Sequence, residues 1–248
     1  MSILEDIIKA KGDRKKLLAV LIDPDKISVH AVPDFMDKVN ASIATHVFVG
    51  GSTVANGLTE KIVLAIKTFT DLPVILFPGD AIQITDEAHG ILFLSLISGR
   101  NPEYLIGQHV KSIAKLKNTS LEIIPTGYIL IDGGNETAVQ RVSKTTPIPR
   151  NDNEMAVETA LAGQFSGKQL IYLEAGSGAK HPVPSRMIAE VVDELSVPVI
   201  VGGGIRDVNA LEKAYAAGAT LVVIGTILED DEAFFEKLKK NRMPRMHE

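Results

Sequence analysis

The string Tyr172-Leu173-Glu174-Ala175-Gly176-Ser177-Gly178-Ala179 ends an apolar run and breaks into small residues. The same order of apolar run, glycine turn and helix-forming segment returns twice, at Val199-Ile200-Val201-Gly202-Gly203-Gly204-Ile205 and at Leu221-Val222-Val223-Ile224-Gly225-Thr226. Glycine lets backbone amides approach an anion closely, and a helix N-terminus behind it adds partial positive charge. Glycines that serve only tight turns and helix packing would look alike one at a time. Three in succession predict one phosphate cradle assembled from neighbouring loops.

Outward from these turns, the chain reads as eight apolar runs separated by longer connections. Strands are predicted over 17–22, 46–49, 72–77, 91–97, 122–131, 169–173, 198–201 and 220–224. Helices are predicted over 3–10, 29–39, 58–69, 103–116, 154–164, 183–195, 208–217 and 232–239. The first strand, Leu17-Leu18-Ala19-Val20-Leu21-Ile22, is apolar on both faces, as a parallel strand covered by helices must be. Eight evenly spaced units in 248 residues predict a closed (β/α)8 TIM barrel, one domain over 1–248, rather than a doubly wound open sheet. Residues 1–14 form an amphipathic helix that caps one end.

Two connections and one strand break the pattern. Residues 79–90 are too few for a covering helix, which would be under about 18 Å long, so the third strand is expected to be thinly covered. Pro125 and Gly127 predict a bulged or strained fifth strand. Residues 132–152, with Gly133-Gly134, Thr145-Thr146 and Pro147-Ile148-Pro149, form a long polar connection expected to act as a lid.

Composition narrows the function. The net charge of -5 gives no general basic footprint for nucleic acid. There is no cysteine for a disulfide or a thiolate metal site, and the six histidines lack H-E-x-x-H spacing. The N-terminus carries acids in place of a basic signal region, and no apolar run approaches the roughly 20 residues that span a bilayer. A cytoplasmic protein is expected. Lys237, Lys239, Lys240, Arg242 and Arg245 read as a solvated face, with at most weak peripheral attraction to anionic lipid.

At the predicted mouth, Asp23 ends strand one and Ser52 ends strand two. They offer the hard oxygen ligands that suit Mg²⁺, although Asp23-Pro24 also reads as a turn and Asp25 as a helix cap. Glu174 is the odd residue of the opening string, because a carboxylate repels the anion beside it. Its presence points to work on a hydroxyl, as acceptor or general base. Tyr172 lies two residues earlier, on the same face of the strand. Tyr128 ends strand five, where a phenol bonds phosphate and an aromatic face stabilises a cation. Both tyrosines also read as core residues with satisfied hydroxyls.

Leu21-Ile22-Asp23-Pro24-Asp25-Lys26, Gly51-Ser52, the 172–179 string, Val201-Gly202-Gly203-Gly204-Ile205-Arg206 and Gly225-Thr226 together resemble the geranylgeranylglyceryl phosphate synthase family. The resemblance covers nearly the whole chain, including Asn101-Pro102, Leu105-Ile106-Gly107-Gln108-His109 and residues 137–149. Its most specific part, the Tyr-Leu-Glu-Ala-Gly-Ser-Gly-Ala string, looks closer to the family's second group than to the form with Tyr-Ser-Gly after the glutamate. The resemblance implies a prenyltransferase that joins a prenyl diphosphate, geranylgeranyl diphosphate above all, to the C3 hydroxyl of sn-glycerol 1-phosphate. It implies Mg²⁺ at Asp23 and Ser52. It implies a glycerol phosphate site at Tyr172, Leu173, Glu174, Ala175, Gly176, Ser177, Gly178, Gly203, Gly204, Gly225 and Thr226. Glu174 would then orient and deprotonate the hydroxyl, with Tyr128 near the allylic carbon and an apolar trough behind residues 79–90. The family also implies a homo-oligomer, either dimer or hexamer. Two other readings share the phosphate loops: an isomerase or aldolase barrel, and a non-catalytic binder of phosphorylated metabolites. A Schiff-base aldolase needs a strand lysine, and the predicted strand interiors have none.

Overall fold

Each apolar run becomes a parallel strand in the computed structural model, which describes residues 2–225 and 232–239. Thr226, Lys240, Arg242 and Arg245 lie outside the described residues. The strands are β1 (Leu17–Ile22), β2 (His46–Val49), β3 (Val74–Leu76), β4 (Gly90–Leu96), β5 (Glu122–Leu130), β6 (Leu170–Glu174), β7 (Val199–Gly202) and β8 (Leu221–Ile224). Each pairs in parallel with the next, and β8 pairs with β1, so the sheet closes into the expected eight-stranded barrel.

Strand alternation sorts the apolar side chains into two layers. Ala19, Phe48, Ile75, Leu92, Ile124, Ile200 and Leu221 fill the barrel interior. Val20, Val47, Leu76, Ile171, Val201 and Val222 point outward against the helices. Those helices include α1 (Ile3–Gly12), α2 (Val32–Ala41), α3 (Leu58–Lys67) and α4 (Gln108–Leu116). They continue with α5 (Ala138–Ser143), α6 (Asn153–Phe165), α7 (Ser185–Glu194), α8 (Val208–Ala216) and α9 (Glu232–Lys237). Ser2 and Glu5 form a capping box on α1, and the Glu122 carboxylate accepts from the Ile3 and Leu4 amides at 2.6 and 2.8 Å. Ile7 and Ala10 thereby plug the N-terminal end of the barrel, and the C-terminal strand ends form the mouth.

The predicted helix over 103–116 begins as a π turn, Glu103–Gly107, before α4. Between β3 and β4 only a 3-10 turn forms, Ala81–Gln83, as the connection's length demands. One expectation needs correction. β5 is an unbroken ladder from Glu122 to Leu130, without a bulge. The Pro125 carbonyl accepts from Gln169 on the β6 side, so its missing N–H would also face that side. Pairing with β6 begins only at Thr126, so no ladder bond is lost there. Gly127 makes room outside the barrel, where a Cβ would stand 2.8 Å from the Ile97 and Ile171 side chains. Residues 132–152, the expected lid, also carry regular structure. Thr137 and Gln140 form a capping box that starts α5, and Ile131 and Ile148 bridge across the segment. Among the described residues no helix is long and apolar enough to cross a membrane.

Candidate active site

Glu174 is the last residue of β6 and is 6% exposed. Its Oε1 accepts the Gly176 N–H at 2.6 Å. Glycine at 202 and 203 is what lets it lie flat across the mouth. A Cβ at Gly202 would stand 2.5 Å from Glu174 Oε2 and from the Tyr172 hydroxyl, and one at Gly203 would overlap Glu174 Oε1. Burial raises the carboxyl from the ordinary glutamate value to about 7, against the opposing pull of Tyr172 and the Gly176 amide. At neutral pH it is therefore poised between acid and base forms.

Tyr172 and Tyr128 point into the barrel beneath this carboxylate. Their rings meet edge to face with centroids 5.3 Å apart, and Phe77 completes an aromatic triad at 5.5 and 5.9 Å. Burial, then the nearby Glu174 charge, pushes both phenols well above their ordinary range, so both keep their protons. The Tyr172 hydroxyl lies close enough to Glu174 to act on it electrostatically, yet it is buried without a hydrogen bond of sound geometry. A polar group buried this way is costly unless something else bonds it. Phe77 had no assigned role from sequence, although its place two residues beyond Ile75 puts it on the inner face.

The glycine turns behave unequally. Gly176, Gly178, Gly203 and Gly204 have φ of 100°, 71°, 80° and 70°, in the left-handed region that favours glycine. Gly225 does not, and a Cβ there would meet only Leu21 at ordinary contact distance. Leu173 and Ala175 pack outward against the helices, so any part they play falls to their main chain. At Gly176 a Cβ would overlap the Thr137 methyl, which presses the start of α5 onto the turn after β6.

Across the mouth, Asp23 is half-buried at the end of β1. Burial raises its carboxyl, while the Asp25 amide, 3.1 Å from Oδ1, and Lys26 pull it down. Asp25 turns away and accepts from the Ala55 N–H at 3.3 Å. Among the described residues there is no cluster of three or more acidic or histidine side chains able to hold a metal alone. One carboxylate and the Ser52 hydroxyl suit a hard ion whose shell is completed by water and substrate phosphate, which is how Mg²⁺ is commonly held.

These residues surround a polar cavity of about 760 Å³ whose rim includes Asp23, Ser52, Glu174, Ser177, Arg141 and Arg206. The two arginines were not singled out from sequence. Arg206 donates to the Gly178 and Ala179 carbonyls at 3.2 and 3.0 Å, and Arg141 pairs with Glu136 at 3.3 Å. A second, apolar cavity of about 120 Å³ shares Gly51, Ser52, Phe77, Tyr128 and Val139 with the first. It continues along β4 past Leu96, Phe93 and Ile91, with Ile84 and His109 on its walls. The five steps of strand from Ile91 to Leu96 correspond to roughly 16 Å. The thinly covered third strand is thus flanked by an apolar trough.

A closed parallel barrel, plugged below and open to a polar mouth lined by glycine turns after β6 and β7, defines a (β/α)8 enzyme scaffold. The PcrB family profile matches residues 6–242, and the chain belongs to this family. It is 60% identical over 230 residues to the geranylgeranylglyceryl phosphate synthase of Zunongwangia profunda, covering 93% of this chain and 98% of the relative. The corresponding synthase of Flavobacterium johnsoniae is 53% identical over 235 residues, covering 95% and 97%. Among solved structures, (S)-3-O-geranylgeranylglyceryl phosphate synthase from Thermoplasma acidophilum, in complex with sn-glycerol-1-phosphate, superposes with a TM-score of 0.90 at 36% identity over 96% of both chains.

Proposed function

We propose that this chain transfers a prenyl group, geranylgeranyl above all, from its diphosphate to the C3 hydroxyl of sn-glycerol 1-phosphate in ether-lipid synthesis. One observation carries the reading. A buried carboxylate poised near neutrality stands between left-handed glycine turns on one side and an aromatic-lined passage to an apolar trough on the other. The name shared by the relatives and the glycerol phosphate complex of the Thermoplasma acidophilum protein support it.

In this reading the amides of Ser177, Gly178, Gly203 and Gly204 hold the glycerol phosphate, the Gly176 amide holds the Glu174 carboxylate, and Gly225 lies at the edge of the site. The unbonded Tyr172 hydroxyl bonds a glycerol oxygen. Asp23 and Ser52 would hold a Mg²⁺ ion, whose charge would neutralise the leaving diphosphate. As the allylic C–O bond breaks, its electron pair leaves with the diphosphate, and the carbon's positive charge faces the Tyr128 and Phe77 rings. The C3 oxygen forms the new C–O bond and passes its proton to Glu174. An alcohol attacking a cation becomes strongly acidic, so a carboxylate near 7 is base enough. The trough takes the prenyl tail, and residues 132–152, with Val139 on the walls of both cavities, cover the mouth.

Ile106, Val110 and Ile113 lie exposed along the π turn and α4, which supports the expected homo-oligomer. A cytoplasmic setting remains part of the proposal. No described strand carries a lysine, the position a Schiff-base aldolase uses, and Lys26 at the mouth sits on the loop after β1.

Purified protein with sn-glycerol 1-phosphate, Mg²⁺ and radiolabelled prenyl diphosphates of several lengths should give a labelled ether extractable into organic solvent. Absence of ether at every chain length would overturn the assignment.

A further inference from the structure

The turn between β3 and β4 holds a buried polar side chain that the mouth as described does not use. Gln83 is 3% exposed. Its Nε2 donates to the Gly51 carbonyl at 2.8 Å, and its Oε1 accepts from the Gly51 N–H at 3.3 Å. Both ends of one amide thus serve one glycine. The register explains the need: β2 pairs with β3 only through Val49, so Gly51 lies past the ladder. Without Gln83 its N–H and C=O would lose these partners.

Gly51 lies directly against the proposed diphosphate end of the site. A Cβ on it would stand 3.0 Å from Asp23 Oδ1, and Ser52 follows it in the chain. Gly79 packs on the same turn, where a Cβ would stand 2.6 Å from the Gly51 carbonyl. The other side of the 3-10 turn belongs to the trough, with Ala81 and Ile84 on its wall. Ala81 N–H donates to Gln108 Oε1 at 3.3 Å, and Gln108 Nε2 donates to Glu103 Oε1 at 2.8 Å on the π turn opposite. Hydrogen bonds therefore run from the outer wall of the trough, through the 3-10 turn, to the backbone beside Asp23.

We propose that Gln83 is a positioning residue that fixes the Gly51-Ser52 turn opposite Asp23 and ties it to the wall of the apolar trough. The inference rests on the prenyl-transfer reading. It makes no contact between Gln83 and substrate; the effect passes through the Gly51 main chain.

Gln83→Met keeps length and burial but removes both hydrogen bonds, and Gln83→Glu keeps the acceptor alone. Three readouts separate positioning from general stability: the thermal shift caused by Mg²⁺ with inorganic diphosphate, the shift caused by sn-glycerol 1-phosphate, and the two KM values. The parent should show both shifts. Gln83→Met should lose most of the Mg²⁺–diphosphate shift and keep the glycerol phosphate shift. Its KM for prenyl diphosphate should rise about tenfold while that for glycerol phosphate stays within about twofold. Gln83→Glu sets a carboxylate oxygen against the Gly51 carbonyl and should lose at least as much of the Mg²⁺–diphosphate shift as Gln83→Met. If Gln83→Met does not fold, Gln83→Asn, which keeps the amide but is one methylene too short to reach both Gly51 atoms, should give the same selective loss in smaller measure. An undiminished Mg²⁺–diphosphate shift in the folded variant overturns the proposal, as does equal loss of both shifts, which marks a general loosening of the barrel. A parent that answers neither ligand and forms no ether overturns the prenyl-transfer reading, and this inference with it.

Discussion

Glu174→Gln is expected to lower turnover by about 10³-fold and at the same time to stabilise the free protein at pH 8. The two effects share one cause. The Glu174 carboxyl titrates at about 7 in the folded chain against an ordinary value of 4.5 because the charged form is buried. A raised carboxyl makes the native state hold its proton more tightly than the unfolded chain does. The favourable contribution is complete below about 4.5 and is lost as pH rises through about 7. The gap corresponds to a loss on the order of 3 kcal/mol across that window. A glutamine does not ionise and escapes this loss. Denaturant unfolding should therefore separate the two proteins strongly at pH 8 and only weakly at pH 5. Parent activity should climb as pH rises through about 7, because the base form is the active one. Turnover that survives in Glu174→Gln removes the residue from the chemistry, whatever the stability data say.

Asp23→Asn should lower kcat/KM for prenyl diphosphate about 10²-fold or more, since a hard ion at a leaving diphosphate supplies several kcal/mol of charge stabilisation. The substitution discriminates between two readings of the residue. Asparagine retains an oxygen that can accept the Asp25 N–H, so a purely turn-forming Asp23 would tolerate it. It removes the negative charge that a magnesium ion needs. Because burial already raises the Asp23 carboxyl, neutralising it should not lower the melting temperature. Unchanged kinetics with prenyl diphosphate would leave Asp23 as a turn residue only.

Local physics accounts for what was legible in the chain. Runs apolar on both faces mark parallel strands, and the twelve-residue connection 79–90 could not hold a covering helix, which exposed the trough's position in advance. Glu174 stood out because a carboxylate beside an anion cradle has no packing reason to exist. Partners distant in sequence were harder to see. Pro125 disturbs nothing because β6 starts one residue later, a fact of register between strands. Leu173 joined the expected site by its place in the string, yet strand alternation turns it outward. The capping box that starts α5 was legible as Thr137-Ala138-Val139-Gln140 but was submerged in a polar stretch. Phe77 could have been found by counting alternate residues from Ile75. Gln83 could not, because its partner Gly51 lies thirty-two residues away and is specified only once the barrel closes.

The most direct measurement is the structure of the product, by NMR, after incubation with geranylgeranyl diphosphate, Mg²⁺ and either sn-glycerol 1-phosphate or sn-glycerol 3-phosphate. An ether at C3 formed from sn-glycerol 1-phosphate, with little or none from its mirror image, is the predicted result. Diphosphate release that yields only free prenyl alcohol with both acceptors would contradict the assignment.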